Sequence, residues 1–416
     1  FDMPLVLWPT RMRVGAQPFA TLYKPAVLAH GDFAGVNLVT TWTPAVKTHL
    51  TYVQIEEDSW GPRVVPGVGG TCGGLAPVAP LVSQGNPSCG GFGRGDDLAV
   101  IFSVDATLMK GLQVRPIYAF FYANGGTSGA ARPAVLSGAA AIAAHDVEIR
   151  SYFGVDAKWT SGPWFLDPTY IHTIGSYDVS PVSAGAGGGG LATRVRGGEI
   201  SAHLADIRGG WRSGPLLLEL MWAFASGNKP RDSLNNEIKY YQPINTDTSY
   251  YGGWAEILAL GIDYFNGAVN GLGAAISLDR FGRQQVGGRA TYSWTPALDT
   301  QLRVTGIWTA REIDTRSGQL SAGALCRPGV GGTATQTNQC VGTDSYVGTE
   351  IDLGLTWRFA PGLTFDLVGA YFIAGGALDE TRIAASNSAA LGGPTILRKD
   401  DADDAYTAVA RVRYSF

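Results

Sequence analysis

The chain ends in Ala405-Tyr406-Thr407-Ala408-Val409-Ala410-Arg411-Val412-Arg413-Tyr414-Ser415-Phe416, a stretch that alternates between two kinds of side chain. Successive side chains of a β-strand point to opposite faces. One face here is therefore apolar and ends in Tyr414 and Phe416, while the other carries Arg411 and Arg413. A strand of this kind can lie between lipid and water. A soluble β-sandwich could also end in such a strand, so the rest of the chain has to decide.

The same alternation recurs along the chain in segments of about ten residues. Between Leu98 and Leu108 the even positions are apolar, and the odd positions include Ser103, Asp105 and Thr107. The polar face carries Arg and carboxylate residues in most segments, whereas the inner face of a sandwich or a small barrel is dry. The sequence therefore predicts an all-β fold, a transmembrane antiparallel up-and-down β-barrel that forms one domain over residues 1–416.

The connections between these segments alternate in length. Barrels of outer membranes pair short periplasmic turns with long extracellular loops. The short ones lie near Thr43-Pro44, Lys110-Gly111, Ser161-Gly162, Ser213-Gly214, Asn266 to Asn270, Thr295-Pro296 and Pro361-Gly362, and the long ones near 58–95, 125–145, 178–196, 227–249, 314–347 and 377–400. We predict about 16 strands, two of them over 252–265 and 271–281, with 18 as the alternative if a trimmed amino terminus hides two more.

Composition narrows the class of protein. The 416 residues include 57 Gly, 17 Tyr, 16 Phe and 11 Trp, only 16% are charged, and the formal net charge is −4. This balance does not favour a nucleic-acid surface. No apolar run approaches the roughly 18 residues that a membrane helix needs. We expect the bacterial outer membrane as the location.

Four cysteines fall in pairs within Gly-rich segments, Cys72 with Cys89 and Cys326 with Cys340. Neither pair has the spacing of a zinc or haem motif. We predict two local disulfides in long loops, which implies an oxidising compartment. The alternative is four free thiols.

Tryptophans concentrate beside the short turns, as in Trp42-Thr43-Pro44 and Trp294-Thr295-Pro296. Amphipathic rings at one end of the strands indicate an interfacial girdle. The predicted girdle consists of Trp42, Trp159, Trp164, Trp211, Trp294, Trp357, Tyr414 and Phe416. Ordinary core tryptophan is the alternative.

Charged residues of the inward phase are the candidate pore lining. The basic candidates are Arg13, Arg115, Arg150, Lys158, Arg208, Arg289, Arg303, Arg311, Arg358, Arg411 and Arg413. The acidic candidates are Asp105, Glu148, Asp156, Glu199, Asp206, Glu219, Asp263, Glu350, Asp352 and Asp366. The two sets nearly balance, so weak selectivity is expected. Five arginines of the last strands form either a basic ladder that favours anions or salt bridges that stiffen the wall: Arg289, Arg303, Arg358, Arg411 and Arg413.

Signals for catalysis or metal binding are weak. His145-Asp146 has no nucleophilic Ser to complete a triad, and His203 is the one histidine that we place in a strand's inward phase. The acidic cluster over 400–404 either binds divalent cations or is a solvated loop. We expect no catalytic residue, no resident metal and no cofactor.

Two segments resemble known families. The aromatic end of the last strand resembles the closing strand of bacterial outer-membrane barrels, which implies recognition by the barrel-insertion machinery. The stretch Ala225-Ser226-Gly227-Asn228-Lys229-Pro230-Arg231-Asp232, continued by Tyr241-Gln242-Pro243 and Tyr250-Tyr251-Gly252-Gly253, resembles the alginate-export-like family of outer-membrane porins. That resemblance implies a monomeric barrel with a lumen suited to anionic saccharides.

The sequence thus favours a porin through which small hydrophilic solutes diffuse, embedded among outer-membrane lipid and lipopolysaccharide. A second hypothesis is a plugged barrel whose stapled surface loops bind a partner protein. A barrel enzyme and a barrel around an electron-transfer cytochrome are weaker alternatives, and a homo-oligomer is compatible with each.

Overall fold

The structure is a computed structural model that describes residues 2–5, 9–20, 22–24, 27–56, 94–125, 144–180, 198–230, 232, 237–246, 254–258, 281–317, 343–384 and 395–415. Within these ranges the chain is all-β, as predicted, with one short 3-10 helix at Gly376–Leu378. None of the described helical residues forms a helix long and apolar enough to cross a membrane.

The strands in chain order are β1 Asp2–Leu5, β2 Thr10–Ala20, β3 Ala29–Thr43, β4 Val46–Glu56, β5 Arg94–Met109, β6 Leu112–Gly125, β7 Ala144–Ser161, β8 Trp164–Ser180, β9 Glu199–Ser213, β10 Leu216–Ala225, β11 Glu237–Ile238, β12 Asn245–Thr246, β13 Arg283–Thr295, β14 Leu298–Ile313, β15 Arg316–Ser317, β16 Asp344–Ala360, β17 Leu363–Ala374, β18 Glu380–Ala384, β19 Thr395–Asp400 and β20 Ala405–Tyr414.

The main sheet is an antiparallel meander, which confirms the predicted up-and-down topology. From β1 to β10 each strand pairs with the next, and the run continues through β13, β14, β16 and β17 to β20. These fifteen described strands form the wall, and β11 and β12 add short parallel pairings to β9 and β3. The pairings recorded for the described residues make one open run from β1 to β20.

One predicted pair of wall strands was wrong. β10 pairs with β13 along its whole length, from Leu216 opposite Tyr292 to Ala225 opposite Arg283, so the wall has no further strand between them. Residues 254–258, predicted as part of a strand, are instead a buried bend in the interior. Residues 259–280 lie outside the described part. Alternation misled the prediction because a bend packed on an inner wall also needs apolar residues.

Contacts across the interior show that the sheet curls into a barrel. The backbone N–H of Tyr23, between β2 and β3, donates to Asp156 Oδ2 on β7 at 2.6 Å. In a flat sheet β3 and β7 would be roughly 19 Å apart. The described residues between β10 and β13, which we call the inner insert (226–230, 232, 237–246 and 254–258), contact β3, β9 and β16. Only a closed-in wall brings these strands around one insert.

The outer face of the wall is apolar, as the alternation predicted. Large hydrophobic side chains are exposed on every long strand, including Phe102, Phe153, Leu220 and Leu353. Soluble monomers rarely expose apolar patches beyond a few hundred Å², and this surface extends around the wall. It is the surface of a barrel embedded in a lipid bilayer.

Short turns join the strands at the end of the wall away from the long connections, at six of the seven places where the sequence predicted them. The seventh, over 266–270, lies outside the described residues. Gly111, Gly162, Gly214 and Gly362 have φ angles of +83°, +56°, +54° and +73°. At Gly111 a Cβ atom would lie within 2.3 Å of the Thr160 carbonyl oxygen, so glycine is required there.

The interior differs between its two ends. Toward the long connections, small and apolar inward side chains pack against the inner insert in one buried core that includes Ile101, Phe121, Leu204, Tyr241 and Ile257. Toward the short turns, the inward side chains are mostly charged. Packed side chains therefore fill the interior near the long connections, whereas charged side chains line it near the short turns.

Candidate pore lining

The last strands carry one shared carboxylate between two arginines. Asp366 on β17 accepts hydrogen bonds from Arg413 Nε at 2.7 Å and from Arg411 Nη2 at 3.2 Å, both on β20. Thr356 on β16 donates to the same carboxylate at 3.0 Å. The antiparallel register places Asp366 opposite Arg411. One negative charge therefore faces two positive charges.

The other arginines of the supposed ladder are also paired. Arg289 on β13 binds Glu219 on β10 at 2.5 and 2.8 Å, and its guanidinium lies 4.7 Å from the ring centre of Trp254. Arg358 Nη1 lies 2.8 Å from Asp299, beside the last turn. These contacts favour salt bridges within the wall over an unpaired basic ladder.

Arg303 on β14 and Asp352 on β16 lie under the inner insert. Arg303 Nε is 3.3 Å from Asp352, and its Nη2 is 3.9 Å from Glu256. Glu350, two residues along the same strand, accepts hydrogen bonds from the backbone N–H groups of Glu256, of Ile257 at 2.8 Å and of Leu258 at 3.0 Å. A single carboxylate thus anchors three consecutive amides of the insert.

A second anchor lies on β7. Arg150, buried beside Glu148, donates to the Gln242 side chain, and the Tyr152 hydroxyl donates to the Gln242 backbone oxygen at 3.1 Å. Tyr241 donates to the Val27 oxygen at 2.6 Å, which ties the insert to the segment before β3.

The wall from β5 to β9 holds the third group of charges. Asp105 on β5 accepts from Arg115 on β6 and lies 3.0 Å from His49 on β4. Arg208 and Asp206 on β9 form two hydrogen bonds of 2.9 Å.

Residues Leu22–Lys24, which we call the lumenal latch, cross the interior to this wall. The Tyr23 ring has Arg115 at 4.3 Å and Lys158 at 4.7 Å from its centre. Lys24 Nζ donates to the Asp167 backbone oxygen at 2.5 Å and lies 3.7 Å from Asp206 and 3.9 Å from Asp156.

The partners of these ion pairs differ in exposure. In three pairs the arginine side chain is more exposed than its carboxylate partner. The exposed fractions are 48% for Arg413 and 5% for Asp366, 48% for Arg358 and 16% for Asp299, and 23% for Arg208 and 0% for Asp206. The Arg115–Asp105 pair is the reverse, at 14% and 26%. In most pairs of the described wall, the carboxylate therefore lies against the strands and the cation faces the lumen.

Placement corrects several predicted lining residues. Seven of them point inward but are buried, so their side chains do not contact lumenal water: Glu148, Arg150, Asp156, Asp206, Arg303, Glu350 and Asp352. Glu199 belongs to the outward series, because Ile200, Ala202, Leu204 and Asp206 are its buried, inward neighbours. Alternation counted from Asp206 and Arg208 on the same strand already places Glu199 outward, so the predicted assignment broke the period of two.

His203 was also placed on the wrong face. It lies outward on β9, stacked on His172 with ring centres 4.3 Å apart, and Tyr170 lies 2.9 Å from its Nδ1. Arg311, at the far end of β14, is exposed and its Nε donates to the Gly227 oxygen at 3.4 Å.

Aromatic side chains flank the short turns on the outer face. Those of Trp42, Trp159, Trp164, Trp294, Trp357 and Tyr414 are exposed, and Trp211 is half-buried beside Trp164. Their positions suit an interfacial girdle, which stays a prediction. Phe416, the four cysteines and Asp263 lie outside the described residues.

The acidic cluster takes part in hydrogen bonds. Asp404 accepts from the Tyr371 hydroxyl at 2.6 Å and from the Ala374 N–H at 3.0 Å. No group of three or more His, Cys, Asp or Glu in the described ranges could hold a metal ion. Asp404 is thus bound to the end of β17, and the choice between a solvated loop and a cation site stays open.

The sequence did not predict that Tyr23, Lys24, His49 and Gln242 take part in the contacts of the barrel interior. Lys24 and Gln242 lie outside long strands, in segments without periodicity. Their contacts join residues more than 90 positions apart, and only the closed-in wall brings them together.

No family model matches the sequence, and no curated protein matches it. Among solved structures, the outer membrane protein OprD from Pseudomonas aeruginosa has a TM-score of 0.41 at 11% identity, covering 96% of this chain and 75% of its own. OccK11 (OpdR) of the same species has a TM-score of 0.38 at 9% sequence identity, and the match covers 98% of this chain and 78% of OccK11. OccAB4 of Acinetobacter baumannii has a TM-score of 0.42 at 10% sequence identity, and the match covers 97% of this chain and 72% of OccAB4. Similarities this low carry no argument about function, which has to come from the wall and interior of this chain.

Proposed function

We propose that the protein is a porin of the bacterial outer membrane through which small hydrophilic solutes diffuse passively, with a preference for anions. The apolar outer face supports insertion in a bilayer, and closed barrels of this kind belong to outer membranes. The aromatic end of the last strand supports recognition by the insertion machinery, and the exposed turn-side aromatics suit contact with lipid and lipopolysaccharide.

The observation that carries the anion preference is the difference in exposure within the ion pairs. Arg413, Arg358 and Arg208 present their guanidinium groups to the lumen. Their partners Asp366 and Asp206 are buried, and Asp299 is less exposed than Arg358. A passing ion interacts more strongly with the nearer charge, because Coulomb energy falls with distance. The wall therefore attracts anions although its charges nearly balance.

The charge of the lumen and its width select which solutes pass, and the protein does not modify the solute chemically. The inner insert fills the half of the barrel near the long connections and narrows the path, and the charged half sets the preference. Anionic saccharides, implied by the resemblance to alginate-export-like porins, are the solute class that we propose to test first.

Planar-bilayer recordings of the folded protein in a salt gradient test this proposal. We expect discrete conductance steps and a reversal potential on the anion-selective side. Absence of conductance from folded, inserted protein would refute an open pore. A cation-selective reversal potential would refute the preference while leaving the porin intact.

A second candidate function is a closed barrel whose surface loops bind a partner protein. The apolar core between the inner insert and the wall favours it, since such packing excludes water from half of the interior. Inserted protein that blocks even small ions, together with a partner retained on the intact cell surface, would favour this candidate over diffusion.

A further inference from the structure

The lumenal latch places a lysine between carboxylates of two strands, β7 and β9, and against the backbone of the strand between them, β8. Lys24 Nζ lies 3.7 Å from Asp206 on β9 and 3.9 Å from Asp156 on β7, and it donates to the backbone of Asp167 on β8. Lys24 itself is only 8% exposed, and the side chains of Asp156 and Asp206 are fully buried. The contact is therefore built into the interior.

The latch is held by more than this ammonium group. The Tyr23 N–H donates to Asp156, and the Tyr23 ring lies between Arg115 and Lys158. Leu22 is buried in the apolar core of the interior. Cation–π contacts of this kind contribute about 0.5–2 kcal/mol each. The fold thus fixes Lys24 in position independently of its own charge.

The charge of Lys24 matters because its partners cannot be screened by water. A buried carboxylate that loses its cation keeps a strong field, since few solvent dipoles surround it. Asp206 would retain Arg208 at 2.9 Å. Asp156 would retain hydrogen bonds from Tyr23 and from Thr169 Oγ1 at 2.6 Å, which stabilise its charged form without neutralising it.

We propose that Lys24 is a specificity-determining residue of the pore, which neutralises the buried carboxylates of Asp156 and Asp206 and so prevents the wall from β7 to β9 from attracting cations. This inference rests on the proposed function, since it assigns the sign of the field in the same lumen. Burial lowers the pKa of the Lys24 ammonium, and the nearby aspartates oppose that effect.

The test compares four variants in the same bilayer recordings. Lys24→Met should lower the ratio of anion to cation permeability about three- to tenfold, because it removes one positive charge beside two buried carboxylates. Lys24→Arg should leave the ratio near that of the parent. Adding Asp156→Asn to Lys24→Met should restore most of the loss, because the unpaired charge is then absent.

Lys239→Met is the matched control. It also removes one lysine charge, but Lys239 and its partner Glu237 are both about two-fifths exposed and 2.7 Å apart, so water screens the remaining carboxylate. Its permeability ratio should stay within error of the parent. A parent channel that conducts while Lys24→Met keeps the parental ratio would overturn the inference and leave the porin proposal standing.

A stability measurement tests the same pairing without conductance. Urea unfolding in phospholipid vesicles should show Lys24→Met and Asp156→Asn to be coupled, with the double variant more stable than the sum of the single losses predicts. Additive losses would overturn the pairing. If the parent protein folds but does not conduct, the porin proposal fails and with it the specificity role, while this cycle still decides whether Lys24 and Asp156 are paired.

Discussion

Asp366 shows how one residue sets a local charge balance. Its carboxylate accepts hydrogen bonds from Arg411, Arg413 and Thr356 together, so the two arginines do not form a free ladder. The sequence could place all three charged residues on the inward face, because alternation fixes the phase of β17 and β20. Their sharing of one carboxylate depends on register, which alternation does not give.

Replacing Asp366 with Asn should raise the preference for anions. The variant leaves two guanidinium groups without their common counterion, so the positive field at the turn end of the lumen grows by one charge. Reversal potentials in a salt gradient measure this. Thr356→Val is the control, since it removes a hydrogen bond to the same carboxylate and no charge. An unchanged or cation-shifted potential in Asp366→Asn would contradict the charge balance described.

At the scale of elements, the hairpins follow from sequence and the inner insert does not. Trp42 donates to Thr48 Oγ1 at 3.0 Å, and Trp294 donates to Thr300 Oγ1 at the same distance. In both turns the threonine before proline accepts from the following alanine N–H at 3.2 Å. Identical Trp-Thr-Pro-Ala segments thus make the same turn through contacts a few residues apart.

Releasing the insert from its anchor should widen the pore. In Glu350→Gln one carboxylate oxygen becomes an N–H₂ group, which cannot accept from a backbone amide, so the insert loses part of its attachment to β16. We expect larger and more variable single-channel conductance. Asp404→Asn, whose exposed carboxylate accepts hydrogen bonds from Tyr371 and Ala374 and not from the insert, should keep the parental conductance.

Equal conductance in Glu350→Gln and the parent would show that the insert does not limit the path. A closed parent that Glu350→Gln opens would instead favour the plugged barrel.

On the scale of the whole molecule, the main feature is an outer face covered by exposed apolar side chains. Leu220 on β10 is 71% exposed and Leu108 on β5 is 64% exposed, and both belong to the continuous apolar surface around the wall. Strand rise and tilt place Leu220 about 15 Å from its turn, near the middle of an apolar belt about 25 Å tall, and Leu108 about 5 Å from its turn.

Arginine should therefore be tolerated differently at these two positions. Leu220→Arg should lower the free energy of unfolding in vesicles by about 2–4 kcal/mol, and Leu108→Arg by about 0–1 kcal/mol, because the guanidinium reaches the interface from the second site. Reversible urea unfolding in phospholipid vesicles gives both values. Equal losses would contradict the depth that the wall geometry assigns to the two residues.

The sequence alone determined the all-β class, the alternating wall, the positions of the short turns and the outward face of Tyr406 and Val412, because each depends on neighbours within one strand or one hairpin. It could not determine that Arg289, Arg303, Arg358, Arg411 and Arg413 are paired, or that Glu148 and Glu350 are covered.

The tertiary structure decided the interior. Lys24 reaches Asp156 and Asp206, and Gln242 reaches Arg150, only after the sheet curls around both segments. No local periodicity encodes such contacts, since they join strands that are far apart in the meander. The terminal strand illustrates both the local and the tertiary contribution. Its sequence predicts its two faces, but Arg411 and Arg413 share Asp366 only because the strand pairs with β17.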